Sequence, residues 1–127
     1  SKTEVNVASV DGSKILLSAQ NIIIASGSKP RTIPGFEIDG NQIMTSDELL
    51  SITEVPKSVA IIGGGAIGAE FASTLNDFGA DVTLIEALPQ ILATCDKDLS
   101  KTVARSFKKR GINVLAGTKV LGHSKSG

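Results

Sequence analysis

The rhythm of hydrophobic positions changes along the chain. Near the start, apolar residues come in short runs: Val5, Val7 and Val10, then the turn Asp11-Gly12-Ser13, then Ile15-Leu16-Leu17. This pattern predicts short strands joined by a tight turn. Ile22-Ile23-Ile24-Ala25 follows without a polar break and predicts a buried strand. Ser26-Gly27-Ser28-Lys29-Pro30 ends it, because Pro30 has no amide donor and steers Lys29 away from helix. Pro34-Gly35 and Asp39-Gly40 mark the best linker candidate. Ser46 is the expected cap of a short helix with Asp47 and Glu48 in its first turn. Leu49, Leu50 and Ile52 form its apolar side, and Pro56 closes the element.

From residue 57 the pattern alternates between strand and helix. Val59-Ala60-Ile61-Ile62 has no polar alternation, as a parallel strand covered on both faces requires. Ile67, Phe71, Leu75 and Phe78 fall at helical spacing, and Gly79 suits the left-handed position that ends such a helix. Val82-Thr83-Leu84-Ile85 predicts a second strand ending at Glu86. Pro89 and the apolar pair Ile91 and Leu92 precede another helix, marked by Leu99, Val103 and Phe107. Lys108-Lys109-Arg110 sits in its last turn as a solvated end, and Gly111 terminates it. Ile112 to Leu115 predicts a third strand, and Lys119-Val120-Leu121 the start of a fourth. The run 59–115 is therefore βαβαβ. The fold class is α/β, a partial Rossmann-like parallel sheet of the FAD/NAD(P)-binding type, preceded by short β-strands.

Gly63-Gly64-Gly65-Ala66-Ile67-Gly68 lies between the first of these strands and its helix, so Gly63, Gly65 and Gly68 form a GxGxxG pattern. In that setting Gly63 permits the tight turn, Gly65 lets backbone approach a pyrophosphate, and Gly68 lets helix and strand pack closely. The helix start offers unpaired amides and a positive dipole end to phosphates. No Gly-Lys-Ser/Thr follows, which excludes the phosphate loop of nucleotide hydrolases. Glu86 stands 18 positions past Gly68, where a carboxylate accepts the adenosine ribose hydroxyls and repels the extra phosphate of NADP. No Arg occurs between Arg31 and Arg105, so the usual NADP-reading cation is absent there. NAD is thus preferred to NADP, while FAD uses the same loop and acid and remains a competitor. Glu86 also reads as a plain strand-end carboxylate, and Glu70, in the expected first helical turn, as an acid favoured by the dipole.

Composition narrows the chemistry. Among 127 residues, 13 Lys and Arg balance 13 Asp and Glu, which removes a general electrostatic reason to bind nucleic acid or an anionic membrane. No apolar run approaches the ~20 residues of a membrane span. A lone Cys95 excludes an internal disulfide or CxxC pair, and a lone His123 excludes a His-based metal site within one chain.

The linked segments GGGAIGAE-FAS and FGADVTLIE resemble the NAD domain of the flavoprotein pyridine nucleotide-disulfide oxidoreductase family, in particular its dihydrolipoyl dehydrogenase branch. NIIIASGSKPRTIPG is similar to the segment where that family's FAD domain ends, and TSDELLSITEVPKSVAIIGGG to its connecting helix and strand. PQILATCDKDLSKTVARSFKKRGINV is similar to the helix and strand that follow. The resemblance implies terminal strands of an FAD domain at 1–34, a connecting segment at 35–56 and a C-terminally incomplete NAD domain at 57–127. It implies a cofactor set of Gly63, Gly64, Gly65, Ala66, Ile67 and Gly68 at the pyrophosphate, Glu70 toward the nicotinamide and Glu86 at the ribose. Ser26, Gly27 and Ser28 would match a turn that touches FAD in the parent enzyme. Ala66 stands where relatives often carry a larger side chain.

The family's reaction moves electrons from a dithiol through FAD to NAD, using a redox Cys pair and a His-Glu base pair that these residues do not supply. The expectation is an NAD(H)-binding fragment that does not turn over alone, its first residues Ser1-Lys2-Thr3 and its polar tail reading as internal to a longer protein. The parent is expected to be a homodimer, within a 2-oxoacid dehydrogenase complex, and cytoplasmic or in the mitochondrial matrix. Another disulfide reductase such as mercuric reductase, an NADH oxidase, or a non-catalytic NAD-sensing module are the alternatives. Residues 1–30 are expected to be locally disordered or paired between chains, because their apolar edges lack partners.

Overall fold

The computed structural model describes residues 3–124, so Ser1, Lys2 and the tail Lys125 to Gly127, read above as chain ends internal to a longer protein, lie outside them. β1 (Glu4–Ala8) and β2 (Lys14–Ser18) pair antiparallel within the chain, with Val5 opposite Leu17 and Val7 opposite Ile15. Asp11 shapes the turn between them: its carboxylate accepts the Ser13 amide at 2.9 Å and hydroxyl at 2.7 Å. Because side chains alternate, Val5, Val7, Ile15 and Leu17 share one face, and all four are exposed. Ile22 to Ala25 do not form the expected strand. No described strand lies alongside to exchange backbone bonds with them, and a strand does not persist without one.

The connecting segment is ordered by local hydrogen bonds, and near its end Leu49 and Ile52 pack against the hydrophobic core. Ile33 to Phe36 make a turn around Pro34 and Gly35, closed by the Phe36 amide on the Ile33 carbonyl. The Asp39 carboxylate collects the amides of Asn41, Gln42 and Ile43 at 2.8–2.9 Å. Helix α1 (Ser46–Leu49) is capped by Thr45, not by the expected Ser46. Thr45 is extended, its hydroxyl accepts the Asp47 amide, and Glu48 reaches back to accept the Thr45 amide at 2.7 Å. That reciprocal pair needs a Glu three residues after the cap, a spacing that Thr45 satisfies and Ser46 does not.

β3 (Ser58–Ile62), β4 (Asp81–Glu86) and β5 (Asn113–Ala116) then form one parallel sheet in the order β3-β4-β5. Helix α2 (Ala66–Asp77) connects the first two strands and α3 (Lys97–Lys109) the second two. This is the expected βαβαβ unit. Val82 and Leu84 on the central strand are fully buried, and Ala69, Ala72, Leu75, Ala80, Ile91, Phe107 and Ile112 complete the core. On β3 the exposed Ser58, Ala60 and Ile62 alternate with the half-buried Val59 and Ile61, so one face of this edge strand is uncovered and the expected double cover is absent there. Lys119 to Leu121 form no fourth strand.

The helices differ from the expected stripes in an instructive way. α2 turns Ala69 and Ala72 inward with Leu75, while Ile67 and Phe78 are exposed. A Cβ on Gly68 would lie 1.9 Å from the Gly63 carbonyl oxygen, so the first turn of the helix sits too close to the end of the strand for a side chain there, whereas Leu75, two turns on, has room. On α3, Phe107 is buried as expected, but Leu99 is exposed and Ser100 takes the inward place. Arg110 is more than a solvated helix end. Its guanidinium donates to the Ser73 hydroxyl at 2.8 Å, the Ser73 carbonyl at 2.9 Å and Asp77 at 2.7 Å, which ties the end of α3 to α2.

Two predictions follow from this packing. Gly68→Ala should lower stability by ~1–3 kcal/mol or prevent folding, read by denaturant or thermal melting, because the added methyl meets backbone. Bound amides, that of Ile43 foremost, depress the Asp39 carboxyl pKa in the folded chain, and the Thr45 hydroxyl, then the Thr45 amide, depress that of Glu48. The turn and the α1 cap should therefore be fully formed above about pH 5 and lost as pH falls below about 4. An acid titration followed by the amide resonances of Asn41 to Ile43 and of Thr45 checks this, with no change above pH 5.

Candidate functional site

The C-terminal ends of β3 and β4 meet at the glycine loop. Gly63 extends the ladder by donating its amide to the Ile85 carbonyl at 2.8 Å, then turns at φ +111°. An L side chain rarely adopts that conformation, so the turn depends on glycine. Gly65 is the N-cap of α2, with no side chain to cap the helix. The first backbone bond of α2 runs from the Ala69 amide to the Gly65 carbonyl at 2.9 Å. The amides of Ala66, Ile67 and Gly68 precede it and belong to the turn that a helix leaves without internal acceptors. A Cβ added to Gly65 would meet nothing within 4 Å, so the space beside Gly65 at the start of the helix is open. Open space, orphan amides and the positive helix end together suit an anion such as a pyrophosphate.

Gly64 has a different role from Gly65. It is buried, and a Cβ there would lie 2.8 Å from the Ile91 Cγ2 and 3.0 Å from the Glu86 Cβ. The close approach required at Gly64 is thus to the protein itself. Its amide donates to Glu86 Oε2 at 2.6 Å, and the Leu88 amide donates to Glu86 Oε1 at 2.8 Å. Glu86 is therefore not a plain strand-end carboxylate; it joins β4 to the loop. Each carboxylate oxygen offers two acceptor positions, so one on each remains for an incoming hydroxyl. A vicinal ribose diol presents two such donors.

The remaining sequence candidates are placed less closely. Glu70 is exposed and lies just beyond the first turn of α2, not within it, because the helix starts at Ala66. Ala66 and Ile67 are exposed at the helix start. Ser26, Gly27 and Ser28 lie in an exposed irregular segment, and none of the described hydrogen bonds ties them to the glycine loop. Cavities of about 740 and 250 Å³ lie along the connecting segment and between α1 and α2, lined by residues such as Met44, Ile52 and Phe71. Neither includes the glycine loop. No helix is long and apolar enough to cross a membrane among the described residues.

Sequence reasoning missed three residues here. Ile91 packs on Gly64, the Leu92 amide donates to the Gly64 carbonyl at 2.6 Å, and the buried Ser100 hydroxyl donates to the Ile91 carbonyl at 2.7 Å. The one available signal was an apolar pair in a polar loop shortly after the acid. Ser100 gave none.

A parallel βαβαβ sheet with an uncapped glycine turn and an acid at the next strand end defines a dinucleotide-binding class. Residues 1–127 match the family described as pyridine nucleotide-disulphide oxidoreductase, and the chain belongs to that family. It is 49% identical over 106 residues to the dihydrolipoyl dehydrogenase of Bacillus subtilis, covering 84% of this chain and 22% of that protein. The dihydrolipoyl dehydrogenase of Chlorobaculum tepidum is 47% identical over 116 residues, covering 91% of this chain and 25% of that protein. The crystal structure of LpdA from Mycobacterium tuberculosis superposes with a TM-score of 0.76 at 26% identity, over 98% of this chain and 27% of LpdA. The chain thus spans about a quarter of the length of the relatives it matches.

The double hydrogen bonding of Glu86 generates a prediction that needs no ligand. Glu86→Gln replaces one acceptor oxygen by an amide donor, leaving one backbone N–H facing a donor. Stability should fall by ~1–3 kcal/mol in denaturant melting.

Proposed function

We propose that this chain carries the NAD(H)-binding portion of a dihydrolipoyl dehydrogenase-type oxidoreductase, whose parent enzyme moves electrons from a dithiol through FAD to NAD. The reading divides the chain into flavin-domain strands at 1–34, a connector at 35–56 and the NAD domain from 57 onward. The observation that carries it is the Glu86 carboxylate seated against the Gly64 amide with acceptor positions to spare. The identity to dihydrolipoyl dehydrogenases supports the choice of that branch over mercuric reductase or an NADH oxidase.

In this proposal the amides from Gly65 to Gly68 bind the pyrophosphate across the open face of Gly65, and Gly63 and Gly68 keep strand and helix close enough to form that face. Glu86 accepts the adenosine ribose diol and disfavours a phosphate in its place. Glu70 lies on the nicotinamide side, one turn along α2. Bound NAD supplies the two-electron acceptor. Ser26, Gly27 and Ser28 contribute to flavin contact only in the parent enzyme, since their exposed segment forms no enclosed site. The homodimer, the 2-oxoacid dehydrogenase complex and the cytoplasmic or mitochondrial-matrix setting belong to the same proposal.

Calorimetric titration of the chain with NADH and separately with NADPH tests the reading, with tighter binding of NADH expected. Gly65→Ala places a methyl in the open face, so NADH binding should weaken at least about tenfold through lost phosphate bonds. Its melting should shift by less than ~0.5 kcal/mol, because the methyl meets no protein atom. Binding of NADPH as tight as NADH, or of neither, overturns the proposal.

A further inference from the structure

Among the described non-glycine residues, Leu92 alone has a positive φ, at +50°. A leucine in the left-handed region is strained, so something must hold it there. Three contacts do. The Leu92 amide donates to the Gly64 carbonyl at 2.6 Å, and its own carbonyl accepts the Cys95 amide at 2.8 Å. The preceding Ile91 is 1% exposed with its side chain against Gly64, and its carbonyl accepts the hydroxyl of Ser100, itself 2% exposed.

We propose that Leu92 and Ser100 are positioning residues for the nucleotide site: the loop they lock clamps the Gly64–Gly65 peptide and so aims the Gly65 amide at the dinucleotide phosphates. The inference rests on the NAD(H) reading above. A trans peptide is planar, with its carbonyl and N–H pointing in opposite directions. Fixing the Gly64 carbonyl from Leu92 therefore fixes the Gly65 N–H, which points away from Leu92. The Gly64 N–H belongs to the preceding peptide and is held by Glu86. Both peptides flanking Gly64 are thus pinned, one by the strand end and the other by the loop. A donor set oriented before the ligand arrives loses less freedom on binding, so the clamp acts on affinity while touching no ligand atom. Ser100 matters because its hydroxyl is the buried donor that holds the Ile91 carbonyl, and Ile91 sets the geometry of Leu92.

The test compares Ser100→Ala, Ser100→Thr, Leu92→Gly and Leu92→Pro in the 127-residue chain, read by the Gly65 amide resonance and by NADH titration. Leu92→Gly keeps the donor and relieves the positive φ, so the Gly65 resonance should stay near its parental position. Leu92→Pro removes the donor and forbids that φ, so the resonance should move. Ser100→Ala should move it the same way and weaken NADH binding about fivefold, the equivalent of one neutral hydrogen bond. Ser100→Thr retains the hydroxyl and should recover binding to within about twofold of the parent. An unmoved Gly65 resonance with parental affinity in folded Ser100→Ala overturns the proposal. Should Leu92→Pro fail to fold, the Ala and Thr variants at Ser100 decide the matter. If the parent chain binds no NADH, the NAD(H) reading fails and the clamp's role in binding falls with it. If the parent binds but Ser100→Ala binds equally well, only the clamp falls.

Discussion

The contact between Glu86 and Gly64 joins the parallel sheet to the loop that begins α2. β4 delivers Glu86 at its C-terminal end because Val82 and Leu84, four and two residues earlier, are fully buried in the middle of the sheet. Each such side chain contributes roughly 1.5–3 kcal/mol of apolar burial, enough to fix the strand's position and alternation. Glu86 then reaches across to the neighbouring loop and accepts two backbone amides. Bonds to a charged acceptor are stronger than neutral ones, so the loop's shape is tied to the same forces that hold the core.

The second constraint is distance. The 1.9 Å separation that a Gly68 Cβ would have from the Gly63 oxygen sets how closely α2 lies on β3. The small inward residues Ala69 and Ala72 suit that closeness, and Ile67 in the same turn as Gly68 points outward. α3 lacks such a contact and packs with a large side chain, Phe107, at its C-terminal end. There Arg110 bridges to Ser73 and Asp77, so the two helices are joined at the end far from the glycine loop. At the loop end, backbone bonds from Leu92 to Gly64, Gly117 to Leu88 and Thr118 to Glu86 join those of the Glu86 carboxylate and the Ser100 hydroxyl.

Periodicity made the βαβαβ order, the parallel sheet and the helix stops at Gly79 and Gly111 legible, and both glycines have the positive φ expected of them. On α2 it placed Leu75 correctly and misjudged the ends, where Ile67 and Phe78 are exposed; beside Ile67 the close contact at Gly68 leaves no gap for a large side chain. The strand at Ile22 to Ala25 was misread for another reason. Apolar character marks a segment able to be buried, but a strand exists only beside another backbone. At the site, the glycine pattern and Glu86 were legible because their spacing is local or one strand away. The bond between Leu92 and Gly64 spans 28 positions and runs through backbone atoms, which every residue possesses, so no side-chain pattern announced it.

This arrangement bears on how nucleotide preference is built under the proposed reading. If Glu86 only repelled a ribose phosphate, replacing it by a cation would invert the preference. Here the same carboxylate accepts the Gly64 and Leu88 amides, and a guanidinium has no acceptor to offer either. A single charge reversal would therefore distort the loop that positions the phosphates while also changing the ribose contact, and affinity for both nucleotides would fall together. An inversion that keeps the site intact requires two changes: a cation placed on the neighbouring exposed stretch Ala87 to Pro89, and a neutral acceptor retained at position 86. Specificity and loop order are coupled through one side chain.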